Sequence, residues 1–461
     1  MSIANIINST TNKIEAKYIP AGVGAQTLSL VSNNLSITDG NTIDIGGVLP
    51  ASTANISTGG LAITTVTGLL NVTGDVLAAN LRNPAYVYYV STNGRLKSAG
   101  ATGAISNPFS LIADALTMTS SDLGMVIYVA PGTYNESFTV TISNTLKAVS
   151  IIGLSDDTRD SKRAYINGTI SIVGTVVGHT NTINTVVLDN LRVSAPAVTT
   201  NAVYVSGVGI RVYLKNGLYS SSYNAPIFGQ FDSVIQVTNT GTTKTNRVQL
   251  VVNNCSVTAS GTLCPLTYVW GNAQILEISN SDFTNNGGNY ALYTNIGSIG
   301  QINNSGFTST GATAFHLRPG LVASEDPLTD NITNISNSYF NSVADASNPI
   351  IAINNGYQGP TVVVPTVNIS LSTLFNNGTE TLGVASTTKY LDINTAGVIA
   401  IQRSQIVTKN KPSTITPYKT NTTATSGLYY FGNTYLSGNI NVGLVLPAGW
   451  GLGVLKLTTE P

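Results

Sequence analysis

MVIYVAPGTYNESFTV, residues 125–140, is the stretch that decides the fold. Its first half is a run of β-branched and aromatic residues, the composition of a buried strand. Pro131-Gly132 then fixes a turn, because proline presets φ and glycine accepts backbone angles that other residues avoid. After the turn, SFTVTI (137–142) alternates polar and apolar residues, the pattern of a strand with one buried face. Upstream, AYVYYVSTNG (85–94) is a further aromatic strand. NPFSLIADALTM (107–118) places Leu111, Ile112, Ala115 and Leu116 at helical spacing, behind Asn107 and Pro108 as start signals. Downstream, VSIIGLSDD (149–157) is another apolar strand, closed by Gly153.

From residue 166 to about 410 a degenerate phrase recurs: small polar residues, one variable residue, then a large apolar one. It occurs as Asn254-Cys255-Ser256-Val257, Asn280-Ser281-Asp282-Phe283, Asn304-Ser305-Gly306-Phe307 and Asn337-Ser338-Tyr339-Phe340. Asn190-Leu191-Arg192-Val193 and Asn216-Gly217-Leu218-Tyr219 fit the same frame upstream. Ser372-Thr373-Leu374-Phe375 and Arg403-Ser404-Gln405-Ile406 are weaker copies. Steps of 24 to 38 residues between copies mark a repeat architecture with insertions in its turns. Apolar residues ahead of the phrases, Val251, Leu276, Ile302 and Ile335, predict strand pairs flanking a bend. One such unit cannot bury its own apolar face, but stacked units share a continuous core. Polar residues at equivalent bends would then lie above one another and hydrogen-bond along the stack, where like charges would repel.

Composition agrees with that picture. Only 9% of the 461 residues are charged, against about 25% in an ordinary soluble domain, while the hydrophobic share is 42%. Asn, Ser, Thr and Gly stand where Lys and Glu usually do. Lys+Arg and Asp+Glu both number 21, so no basic excess exists to neutralise phosphates, and a nucleic-acid partner is not expected. No apolar run is long enough to span a bilayer, and the N-terminus lacks the apolar core of a signal peptide.

The order of strand, Asn-Pro-Phe-led helix and PGTYNE turn (131–136) resembles the opening of pectate-lyase-like right-handed β-helix proteins. The likeness covers about 70 residues, and it implies that the helix covers the open apolar end of the solenoid. It implies the fold and no particular activity. NNLSITDGNTIDIGG (33–47) resembles the thin shaft segments of phage and large-virus fibre proteins. Three regions are therefore expected: a β shaft or anchor segment over 1–83, a right-handed parallel β-helix over 84–410, and a small β-rich cap or oligomerisation segment over 411–461.

Candidate chemistry is sparse. Hydrolysis of a glycan needs two carboxylates about 5–9 Å apart. Asp282 with Asp232 or Glu277 is the best pair, although neighbouring copies place Ser256, Gly306 and Tyr339 at the Asp282 slot, and a solvated or stack-capping role explains Asp282 as well. Asp156, Asp157 and Asp160 could hold calcium, but Lys162 and Arg163 beside them favour local ion pairing. His179 and His316 have no nucleophile phrase and are read as turn residues. Trp270, Trp450, Tyr219, Tyr223, Tyr290 and Tyr293 could stack on sugars or pack in core and rim. Cys255 and Cys264 form neither a disulfide framework nor a zinc pattern. The Asn-x-Ser/Thr phrases at Asn135, Asn167 and Asn368 are glycosylation candidates by pattern alone. No catalytic, cofactor-binding or metal residue is assigned.

The resulting expectation is a structural protein of a virus particle: a fibre, spike or capsid-decorating subunit at the virion surface, and not an enzyme. It would be homotrimeric, attached to other virion or capsid proteins through its N-terminal region and facing a host-surface glycan. The alternatives are a polysaccharide-degrading spike enzyme and a non-catalytic glycan-binding adhesin.

Overall fold

The computed structural model describes side chains over residues 86–118, 124–143, 146, 148–155, 163–175, 184–196, 201–222, 233–238, 247–260, 273–287, 290–294, 299–310, 313–317, 332–343, 350–353, 366–375 and 400–405; further strands are described by backbone pairing alone. Met1–Leu81 and Arg82–Pro461 are two compact units. In the first, short strands over Ile7–Asn8, Lys13–Ile14, Leu28–Val31, Asn34–Ile37 and Thr42–Asp44 form an antiparallel sheet, and Ser57–Thr58 pairs with Leu61–Ala62.

The second unit is a right-handed parallel β-helix. Each coil contributes to three parallel ladders, here called A, B and C. In one coil, Val248–Asn253 belongs to A, Ser256–Ala259 to B and Thr267–Trp270 to C, and the chain then returns to A at Gln274–Ser279. Ladder B is a separate 12-stranded sheet, while A and C merge because Leu292–Asn303 runs from one into the other. Strands at Thr416–Tyr418, Leu428–Gly432, Thr434–Leu436, Gly451–Gly453 and Leu457–Thr458 extend the same parallel ladders.

Alternation fills the interior. Ladder A turns in Val212 and Leu214, Leu250 and Val252, Ile275 and Ile278; ladder C turns in Val203 and Val205, Phe315 and Leu317, Ile351 and Ile353, all fully or almost fully buried. Each such side chain contributes about 1.5–3 kcal/mol, opposed by the entropy of ordering the chain. Ile302 and Ile335 take inward places as expected. Val251 and Leu276 do not: a register shift between Leu250 and Val251 marks an extra residue at Leu276, and Val252 and Ile278 point inward in their stead.

Along ladder B one inward column is in continuous register: Tyr134, Ile166, Val193, Tyr219, Val257, Phe283, Phe307, Phe340 and Leu374, with Ile406 paired next by backbone. The phrase read from Ser372 is out of frame by one residue. Its bend residue is Leu371 where six other copies have Asn and one has Arg403, so Leu374 enters the column and Phe375 turns outward.

The bend between A and B has one conformation throughout. Asn190, Asn216, Asn254, Asn280, Asn304, Asn337, Leu371 and Arg403 all have φ between 47° and 53°. Asn adopts this left-handed region more readily than other L-residues with a Cβ. The Asn amides also stack: Asn254 donates to Asn216 Oδ1 (2.8 Å), Asn304 to Asn280 Oδ1 (2.8 Å) and Asn337 to Asn304 Oδ1 (3.1 Å). One residue on, Ser281, Ser305, Ser338, Ser372 and Ser404 are buried. Each hydroxyl donates to the carbonyl two residues earlier and accepts the amide of the coil before, as in Ser281 N–H to Ser305 Oγ (3.2 Å) and Ser305 N–H to Ser338 Oγ (3.3 Å). Tight bends inside the stack thus leave no amide unpaired at these points.

The helix is shorter than its periodicity predicts: it spans Ile112–Leu116. Phe109 is fully buried and bridges to Val90 and Arg95, which keeps Asn107-Pro108-Phe109 extended. Glu136 closes the helix start, accepting Ile112 N–H (2.8 Å) and Ala113 N–H (3.1 Å).

Candidate functional site

Side chains that alternate out of ladder B form two outward columns, exposed at Asp282, Tyr339 and Gln405 and half-buried elsewhere. The first runs Arg192, Leu218, Ser256, Asp282, Gly306, Tyr339, Thr373 and Gln405; the second runs Thr258, Thr284, Thr308, Asn341 and Phe375. Backbone bonds set the spacing, with Asp282, Gly306 and Tyr339 amides each donating to a carbonyl of the preceding coil at 2.9 Å. Asp282 is exposed, and its carboxylate leans over the next coil: Oδ1 lies 2.5 Å from where a Cβ at position 306 would be. Only glycine leaves that place to the carboxylate. One coil further, Tyr339 is 40% exposed and stacks on Phe375, with ring centroids 6.3 Å apart and planes at 25°. Partial burial pushes the Tyr339 hydroxyl pKa up, so the phenol is neutral. Asp282 and Tyr339 are two coil steps apart, about 10 Å at ~4.8 Å per step. A carboxylate and an aromatic ring at that separation, with no side chain between them, can grip a sugar by stacking and by accepting its hydroxyls.

The other carboxylate named from the sequence, Glu277, stands in the same coil but on ladder A, across the Asn280 bend. Asp232 lies outside the described residues, as do Asp156, Asp157, Asp160, Lys162, His179, Tyr223, Cys264 and the side chains of Trp270 and Trp450. Among the described residues no group of three or more His, Cys, Asp or Glu could hold a metal. No helix there is long and apolar enough to cross a membrane.

The aromatic candidates divide. Tyr219 is a core residue, 1% exposed, its ring packed beneath Gly217. Tyr290 and Tyr293 stack at 5.0 Å and both meet His316 edge-on, at 4.9 and 5.0 Å. His316 thus belongs to an aromatic cluster on a strand of ladder C and is no turn residue. Cys255 is a buried free thiol, pushed up to about 12 by burial. Asn167 donates to Asn135 Oδ1 and Asn368 to Asn334 Oδ1, so two of the glycosylation-pattern amides already stack.

No family model and no curated protein matches the chain. Solved structures do. The catalytic domain of GH87 alpha-1,3-glucanase in complex with nigerose is 16% identical, covers 77% of this chain and 68% of its own, and has a TM-score of 0.46. Pectate lyase Pel9A is 14% identical, covers 81% and 79%, and has a TM-score of 0.35. The likeness is one of fold and assigns no residue. One is named as a glucanase catalytic domain and the other as a pectate lyase, neither as the structural virion subunit without enzymatic activity that the sequence led us to expect. The sequence had offered no catalytic set, and a fold shared by inert spikes and enzymes left that reading standing; both parts of it are withdrawn.

Proposed function

We propose that this protein is a polysaccharide-degrading enzyme that binds a glycan on the outer face of ladder B. The observation that carries this is the disposition of Asp282 over Gly306, one coil short of the exposed Tyr339 ring. Tyr339 holds a sugar by its ring face, and Asp282 exchanges a proton at the glycosidic bond beside it. The two-carboxylate mechanism requires a companion acid within about 10 Å; Glu277, on ladder A across the Asn280 bend, is the described acid in the same coil.

The experiment is an assay of new reducing ends with purified protein and a panel of polysaccharides. Release that Asp282→Asn abolishes, with binding retained, is the expected result. Binding without release by the wild type would reduce the function to glycan recognition. Neither binding nor release would overturn the proposal.

A further inference from the structure

We infer that the glycan taken by this face is uncharged and lies along the coil axis; this rests on the reading of the Asp282 column given above. Across five consecutive coils the two outward columns present Ser256, Asp282, Gly306, Tyr339 and Thr373, beside Thr258, Thr284, Thr308, Asn341 and Phe375. Their charge is one carboxylate and no cation. A polyuronate brings a carboxylate on every sugar. Holding it takes Arg, Lys or a bridging cation, and Arg is the residue best matched to a carboxylate's two oxygens. The described basic residues lie off these ten positions: Arg247 precedes the ladder A strand of the Ser256 coil, and Arg403 stands at the bend before Gln405, two coils beyond Tyr339 and four beyond Asp282. Arg192 lies over the Tyr165 ring at 4.6 Å, three coils before Asp282. Arg211 is bonded to Gln249, and Lys215 lies over Tyr213, both on ladder A.

An anionic chain on this face would meet Asp282 within roughly a Debye length at 0.1 M salt, with nothing on the described columns to offset the repulsion. A neutral chain meets what it needs: a ring face at Tyr339, and hydroxyl partners at the half-buried Thr284 and Thr308. Both columns run from coil to coil, so a chain contacting Asp282 and Tyr339 together must follow the axis.

Binding is measured for the full chain with dextran, galactomannan and a soluble β-glucan, and with polygalacturonate and alginate, at low and high salt. At least one neutral polymer is expected to bind about tenfold tighter than either polyuronate at low salt. Asp282→Asn and high salt should both narrow that ratio. Tyr339→Ala should lose the neutral polymer and Tyr339→Phe should keep it. A polyuronate bound better than every neutral polymer overturns this inference and leaves the function proposed above intact. No polymer bound at all overturns both.

Discussion

Phe283 and Phe307 lie face to face, ring centroids 5.1 Å apart and planes at 6°, although 24 residues of chain separate them. Phe340 continues the pile at 5.2 Å and 9°, and Phe315 from ladder C closes against Phe307 edge-on. Phe307 is fully buried between them. Phe307→Ala therefore opens a hole inside the stack that rigid ladders cannot collapse into, and should cost about 3–5 kcal/mol in urea unfolding.

Leu371 is the counter-case. It holds φ 50° and exposes 58% of its side chain, so it carries backbone strain without an offsetting contact of its own size. Leu371→Asn suits the same angle and sets an amide above Asn337, whose own amide already donates to Asn304. A gain of about 1 kcal/mol is expected, read as a higher unfolding midpoint.

Cys255 stands in the serine slot. Its amide donates to Ser281 Oγ (3.1 Å) and its Sγ donates to Asn253 O (3.3 Å), repeating the serine pattern. Cys255→Ser should leave stability within about 1 kcal/mol, whereas Ser281→Ala leaves the buried Cys255 amide unpaired and should cost about 1–3 kcal/mol. Chemical denaturation of the two variants side by side tests the contrast.

At Glu136, burial raises the carboxyl pKa above its ordinary value even though two amides hold it down. A carboxyl raised on folding binds its proton more tightly in the native state, so its contribution to stability is greatest at low pH and is lost as pH rises through the raised value. The stability advantage of the wild type over Glu136→Gln should therefore be larger near pH 4 than at pH 7, by urea titration at both. An advantage that grows with pH would contradict the assignment.

Gly306→Ala tests the site without touching an acid. The added methyl falls where Asp282 Oδ1 now lies, and an exposed side chain can swing away. Unfolding should change by under about 1 kcal/mol, while reducing-end release falls at least about tenfold. A fully active variant would mean that this carboxylate position is irrelevant.

The fold was legible because one face of each coil is written in residues with few alternatives. Phe283, Phe307 and Phe340 recur behind an Asn-Ser pair, and the Asn is demanded by backbone angle while the Ser is demanded by a buried amide. Where the chain departs from that pairing, at Leu371, counting by residue type slips by one and puts Phe375 inside. The helix was over-read because Phe109, placed in a helical frame, is claimed by the strand at Val90. Glu136 as the clamp on that helix could not be seen, since 24 residues separate it from Ile112. The site was half visible: Asp282 stood out as an acid, but Gly306 and Tyr339 at the same slot registered only as missing acids. Their relation to Asp282 exists across coils, where spacing along the chain varies from one copy to the next.

That variation has its own consequence. Coils of unequal length keep one four-residue register along ladder B from Ser256–Ala259 to Thr373–Asn376. The outer face of B is a ruler whose marks stay put however many residues separate one from the next. A coil can therefore gain or lose residues between its strands with the graduation along B left unaltered.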